Sequence, residues 1–115
     1  MRLAAAVSAL LVAATAAPAF AADFAGTWDL TWQTRRGPSK SGWLVIRQEG
    51  ERLTAEIHGK GNVRASGTAQ GDAFVLRGSK MGAPYTISGR LEGDQLVGSL
   101  RVLSVEKKFV GDRRK

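Results

Sequence analysis

The sequence contains no cysteine and only one histidine, His58. Without cysteine, the chain has neither a disulfide framework nor a thiol for lipid attachment, so a small domain must depend on its hydrophobic core. One imidazole is also too few for an ordinary zinc site, which takes three or four nitrogen or sulfur ligands. We therefore expect no metal ion and no other cofactor.

The sequence also lacks a recognisable catalytic set. A nucleophile needs a positioned base and an orienting group, and no spacing of serine, histidine and carboxylate residues indicates such a group. The segment Gly59-Lys60-Gly61 has no predicted helix behind it, so it does not form a phosphate-binding loop. We expect a protein that is not an enzyme, and a small hydrolase is the least favoured alternative.

Residues 1–21 have the three parts of a cleavable secretory signal peptide. Arg2 precedes an apolar run over residues 3–16, and Ala19 and Ala21 supply small residues at the −3 and −1 positions of a cleavage site. The run is too short for a membrane span, which needs about 20 apolar residues. We expect cleavage near Ala21, a single mature domain over residues 22–115 with no membrane span, and a periplasmic or secreted location.

Positive charge exceeds negative charge, with a formal net charge of +7 for the whole chain. Such an excess favours anionic partners in general, namely nucleic acid, anionic lipid or a small acidic molecule. Because an exported protein does not ordinarily meet nucleic acid, we expect a small-molecule ligand or another envelope protein as the partner.

From Thr27 onward, apolar residues recur at every second position in short runs, which is the period of a half-buried strand. We predict a first strand over 27–33 and seven more over 43–48, 53–58, 63–69, 73–77, 85–91, 95–102 and 105–110. The short spacing leaves no room for crossover helices, so neighbouring strands should pair antiparallel. Closure into an all-β, eight-stranded up-and-down barrel would remove both exposed edges; an open or two-layer meander is the alternative.

Three turns share one pattern of glycine, acid, any residue and a large apolar residue. They begin at Gly50, Gly71 and Gly93 and are spaced 21 and 22 residues apart. A repeat of two strands is the length of one hairpin, and glycine supplies the positive φ that tight hairpin turns require. The repeat therefore supports a ladder of hairpins.

Consecutive turns of a meander alternate between the two ends of the barrel, which predicts ends of opposite charge. The repeated turns make one end acidic. The other end receives the predicted loops 35–42, 59–62 and 78–84 and is basic. Its cationic residues are Arg35, Arg36, Lys40, Lys60 and Lys80. We predict a ligand site at this basic end, with Trp32 and Tyr85 in contact with the apolar part of the ligand. The alternatives are solvated surface charges and an interior filled by side chains.

The stretch Gly26-Thr27-Trp28, followed by a meander of hairpins and a late basic residue, resembles the calycin barrels, meaning lipocalin-like and avidin-like proteins. The resemblance implies that Trp28 closes one barrel end against a cation from the last strand, with Arg113 as the first candidate and Lys108 as the second. The chain is shorter than a lipocalin and lacks its flanking helix. Leu30 stands where avidin-like proteins have a polar biotin contact, so biotin binding is not implied.

These observations predict a small exported binding module for an anionic or amphiphilic molecule. The main alternative is a protein-interaction or inhibitor barrel with a filled interior. The sequence is also similar to small exported bacterial barrels without an assigned function.

Overall fold

The computed structural model describes residues 21–59 and 61–114, which form eight antiparallel strands closed into one barrel. Each strand pairs with the next along the chain, and β8 returns to pair with β1. This topology confirms the predicted fold class. The strands are β1 (Gly26–Thr34), β2 (Gly37–Glu49), β3 (Arg52–His58), β4 (Val63–Gln70), β5 (Ala73–Lys80), β6 (Ala83–Glu92), β7 (Gln95–Val102) and β8 (Val105–Arg113).

The alternating apolar residues point inward and form one core. Trp28 and Leu30 of β1 are buried, as are Leu44 and Ile46 of β2, while their sequence neighbours lie outside. Within the described part of the chain every fully buried side chain belongs to an apolar or aromatic residue. Burying one large apolar side chain contributes about 1.5–3 kcal/mol, so this core holds the barrel without covalent cross-links.

The three repeated turns are two-residue hairpin loops at one end of the barrel. Their glycines, Gly50, Gly71 and Gly93, have φ angles of 62°, 61° and 64°. A side chain at such an angle crowds its own backbone, which explains why glycine recurs there. The recurring glycine-acid pattern thus marks three equivalent corners, and this end is called the acidic end below.

The segment 35–42 was expected to be a loop, and that expectation was wrong. β1 and β2 continue as a regular hairpin to the pair Thr34 and Gly37, which leaves only Arg35 and Arg36 as its tip. A bulge at the inner end of this extension is accommodated by Gly42, whose φ is 80°. The extension stands beyond the core, so its residues have no apolar alternation and no pattern marks them as strands.

The segment 78–84 was likewise expected to be a loop and is mostly strand. β5 runs to Lys80 and β6 starts at Ala83, with Met81 and Gly82 between them. The four connections at 35–36, 59–62, 81–82 and 103–104 lie at the end opposite the repeated turns, here called the basic end.

Residues 21–25 form a strap across the acidic end. The backbone N–H of Ala22 donates to the carbonyl of Gly71 at 2.7 Å. The side chain of Gln48 accepts from Phe24 N–H at 2.7 Å and donates to the Ala22 carbonyl at 2.9 Å. The ring of Phe24 is fully buried and meets Phe74 edge-on, with centroids 5.3 Å apart. The strap therefore plugs the barrel with an aromatic side chain.

Trp28 and Arg113 complete this closure. The indole N–H of Trp28 donates to the carbonyl of Phe24 at 3.0 Å. The Arg113 guanidinium lies over the Trp28 ring and donates to two strap carbonyls, those of Ala25 at 2.5 Å and Asp23 at 2.9 Å. Trp28 thus lies between the strap and the last strand, which ties the acidic end shut.

Candidate functional site

The basic end gathers most of the cationic residues that the sequence singled out. Arg35 and Arg36 form the exposed tip of the β1–β2 hairpin. Lys40 lies on the same hairpin, opposite Thr31, and is exposed. Lys80 ends β5 beside the next tip. Lys60 lies outside the described residues. The structure therefore places four of the five predicted cations at one end of the barrel.

The two predicted aromatic contacts differ in availability. Trp32 is half-buried on the inner face of β1, its indole N–H donates to the Ser41 carbonyl at 2.9 Å, and its ring lies 5.3 Å from that of Phe109. Tyr85 is buried, and its hydroxyl donates to the backbone carbonyl of Arg64. Of the two side chains, only Trp32 has part of its ring exposed for contact with a ligand.

Tyr85 compensates for a gap in the barrel wall that the sequence did not reveal. The β4–β5 ladder runs from the Gln70–Ala73 pair to the Ser66–Arg77 pair. Beyond Ser66, β4 pairs only with β3, and beyond Arg77, β5 pairs only with β6. The Tyr85 hydroxyl satisfies the Arg64 carbonyl at this gap. Burial of this hydroxyl raises the pKa of Tyr85 above its ordinary value of 10.0.

Gly78 makes the bridging contact of Tyr85 possible. A Cβ atom at this position would lie 2.5 Å from the Tyr85 hydroxyl and would also collide with the Arg64 carbonyl. Gly78 and Tyr85 are directly opposite each other in the β5–β6 ladder. The tyrosine ring therefore reaches across the space that a side chain would fill, and the Gly78–Tyr85 pair is the sequence signal for the gap.

Two shallow grooves lie on the outer wall along this gap. The larger has a volume of about 420 Å³ and is lined by Arg47, Arg64 and Arg77 together with the hydroxyls of Thr54 and Ser66. The smaller, of about 380 Å³, is nearer the basic end, between the β3–β4 connection and the end of β5. Both are features of the outer surface and not of the barrel interior.

Glu56 lies between the two grooves and moderates their positive charge. Its carboxylate is 3.6 Å from Nε of Arg64 and 3.1 Å from Nε2 of His58. The imidazole of His58 stacks on Trp43, with centroids 5.3 Å apart and planes 14° from parallel. His58 is therefore packed into the wall, and no group of three or more metal-binding side chains occurs within residues 21–59 and 61–114.

The mouth at the basic end is lined by half-buried apolar side chains. Besides Trp32 these are Ile57, Val63, Leu100 and Val102, all packed against the core. Lys107 lies opposite Leu100 in the β7–β8 ladder and is exposed, so its side chain belongs to the inner face of the mouth. Lys107 was not predicted as a site residue, because the charged residues of this part of β8 show no apolar alternation that would place its side chain on the inner face.

Among the described residues, three of the four exposed large apolar side chains lie at this end, the fourth being Trp43 on the outer wall. Met81 is 95% exposed, Leu103 73% and Val105 56%, and each lies at or next to a hairpin tip. The basic end therefore combines surface cations with apolar side chains, both on the tips and inside the mouth. Such a combination can bind an anionic amphiphile by contacts of both kinds.

No protein-family model matches the chain, and no match to it is found among curated proteins. Within the described residues, no helix has the length and apolarity needed to cross a membrane.

Proposed function

We propose that this protein is an exported binding module of the calycin type, which takes up a small anionic amphiphile at the basic end of its barrel. The observation that carries the proposal is the difference between the two ends. The acidic end is plugged by Phe24 and covered by Trp28 and Arg113, whereas the basic end has half-buried apolar residues beneath a rim of cations.

The mouth suits the apolar part of such a ligand. The Trp32 ring is only partly covered, and Leu100 and Val102 are half-buried on β7 toward the same end of the barrel. Removing such apolar surface from water contributes about 25 cal/mol per Å², so contact between this surface and an alkyl chain would favour binding. Phe109 and Tyr85, the cross-strand partners of Trp32 and Val102, are buried and fill the interior at this level, which limits the ligand to the outer part of the mouth.

The rim suits the anionic part. Arg35 and Arg36 lie on the β1–β2 tip, Lys107 lies on the adjacent strand β8, and Lys80 ends β5 at the same end of the barrel. Lys80 leans toward the β3–β4 connection, since its Nζ is 2.6 Å from where a Cβ of Gly61 would be. A ring of like charges around a cleft concentrates anions near it.

The calycin part of the proposal is supported by the Trp28–Arg113 stack, which the resemblance implies for the closed end of such barrels.

The export part of the proposal is supported by residues 1–21, which have the pattern of a signal peptide. Cell fractionation followed by N-terminal sequencing tests it directly, with Ala22 expected as the first residue of the exported protein and Met1 as the result against export.

Binding is tested by titrating the purified protein with dodecanoate while following tryptophan fluorescence. We expect a saturable change that weakens as salt is added, because the rim acts through screened charge. Replacing Arg35, Arg36 and Lys40 together by serine should weaken dodecanoate binding roughly tenfold, a loss of about 1.4 kcal/mol. The matched control removes three exposed cations nearer the acidic end, at Arg47, Arg52 and Arg90, and should bind as the unaltered protein does.

A second candidate is a barrel that binds another exported protein, and the filled interior favours it. Leu76, Ile87 and Phe109 are fully buried inside the barrel. A barrel of this second kind would show no saturable response to dodecanoate, and the control and rim variants would then behave alike. The same titration therefore decides between the two functions.

A further inference from the structure

Five hairpin loops of this barrel start with a residue in the same backbone conformation. Three are the repeated glycine corners of the acidic end, with φ between 61° and 64°. The other two, at the basic end, start with Met81 at φ 53° and Leu103 at φ 56°. A non-glycine residue in this left-handed region is unfavourable, and a large one without a polar side chain is an outlier. The basic end thus keeps large apolar residues where the acidic end has glycine.

These two side chains do not contribute to the core. Met81 is 95% exposed and Leu103 is 73% exposed, so neither gains stability from burial that would offset the backbone strain. Strain retained without a packing benefit indicates a role outside the folded domain. The two tips are neighbours, because β6 and β7 pair directly and lead into them. Val105, next to Leu103, adds a third exposed apolar side chain.

Cations surround these tips. Lys80 precedes Met81 directly, Lys107 follows two residues after Val105, and Arg35 and Arg36 lie on the next tip around the barrel. Glu106, the carboxylate nearest the Leu103 tip in sequence, lies 3.6 Å from Arg101, so its charge is opposed. The surface that carries the apolar tips is therefore positive.

We propose that the basic end docks on an anionic lipid bilayer, with Met81 and Leu103 inserted among the lipid headgroups and the surrounding lysines and arginines against the phosphates. The pattern fits a bilayer because separate apolar tips can each insert into a fluid interface, and flexible cations can follow mobile headgroups. A folded protein partner would instead be matched by a continuous apolar patch. This inference is independent of the small-ligand proposal, since insertion needs only the outer tips.

The test is sedimentation of the full protein with phosphatidylcholine vesicles, with and without phosphatidylglycerol. We expect binding only when the anionic lipid is present, and release by added salt. Met81→Gly and Leu103→Gly should each weaken the vesicle affinity roughly tenfold, as loss of one inserted apolar side chain implies. Met81→Leu and Leu103→Met, which keep the apolar side chains, should bind like the unaltered protein.

The glycine variants also separate membrane docking from folding. Glycine relieves the left-handed strain, so both variants should melt at or above the temperature of the unaltered protein while losing vesicle binding. They should also retain any dodecanoate response, which separates this proposal from that for the mouth. Equal sedimentation with and without phosphatidylglycerol, no sedimentation even at low salt, or glycine variants that bind as tightly as the unaltered protein would each overturn the docking proposal.

Discussion

The guanidinium carbon of Arg113 lies 4.3 Å from the centroid of the Trp28 ring, at the place where the last strand of the barrel joins the first. The same guanidinium holds two carbonyls of the strap. One side chain thus links β8, the indole at the centre of the acidic end and the segment that covers it. The stability of this end should depend on Arg113 more than on any other surface cation.

Arg113→Ala should lower the free energy of unfolding by roughly 1–3 kcal/mol, because it removes a cation–π contact and two charge-assisted hydrogen bonds. Urea unfolding followed by tryptophan fluorescence measures this loss. Arg114→Ala is the comparison variant, because the Arg114 side chain pairs with the exposed carboxylate of Asp29 and lies over the exposed Trp43 ring at 5.4 Å, and such solvent-exposed contacts contribute little. A loss from Arg114→Ala equal to that from Arg113→Ala would contradict the assigned role.

Phe24→Ala should be among the most destabilising single changes in the chain. The ring is fully buried against Phe74, and truncating a buried phenylalanine costs about 3–5 kcal/mol. Phe24→Leu keeps most of the buried volume and should cost much less. Both values come from chemical unfolding, and an unchanged midpoint for Phe24→Ala would show that the strap is not part of the folded domain in solution.

Tyr85 should make the barrel sensitive to alkali. Burial raises the pKa of Tyr85 in the folded state, so the folded protein holds the phenolic proton more tightly than the unfolded chain does. The resulting stability is complete below pH 10.0 and is lost as the pH rises through the higher folded pKa. Because Tyr85 is the only tyrosine, its ionisation can be followed by phenolate absorbance without interference from another tyrosine.

The expected result is a barrel that loses stability above pH 10.0 in parallel with the phenolate signal. Tyr85→Phe should remove this part of the pH dependence and cost about 1–3 kcal/mol at neutral pH, because the Arg64 carbonyl loses its partner. Phenolate absorbance that appears well below pH 10 would contradict the buried hydroxyl.

The hairpin corners should respond to substitution in opposite directions at the two ends. Gly71→Ala should destabilise the barrel by about 1 kcal/mol, purely through the backbone, since no atom lies within 4 Å of the added Cβ. Met81→Gly should be neutral or stabilise the barrel by up to about 1 kcal/mol, because glycine adopts the positive φ of this position without the steric strain of a side chain. Thermal melts of both variants test the pair, and a large loss from Met81→Gly would show that the side chain supports the fold.

Sequence periodicity predicted the strands whose alternate residues enter the core, such as those around Trp28, Leu53 and Leu96. It failed where strands leave the core, because residues such as Ser39 and Lys40 in the β1–β2 extension are polar and exposed on both faces and show no apolar alternation. The repeated glycine turns located the acidic end correctly, because a positive φ favours glycine and the glycines are visible in the sequence.

The strap could not be predicted in the same way. Its one large apolar residue, Phe24, stands alone before the first strand, and a single residue has no period. The gap between β4 and β5 was also missed, since Gly78 and Tyr85 reveal it only as a pair. For the candidate site, the sequence predicted the end of the barrel at which Arg35, Arg36 and Lys80 lie, whereas the buried position of Tyr85 depends on tertiary packing.

The strap also bears on the order in which the barrel folds. The carbonyls of Asp23 and Ala25 accept hydrogen bonds from Arg113, which is 90 and 88 residues farther along the chain. Contacts so distant in sequence form late and slowly. The hairpins, whose strands are adjacent in sequence, can therefore form before Arg113 reaches the strap, so we expect the acidic end to close last in folding.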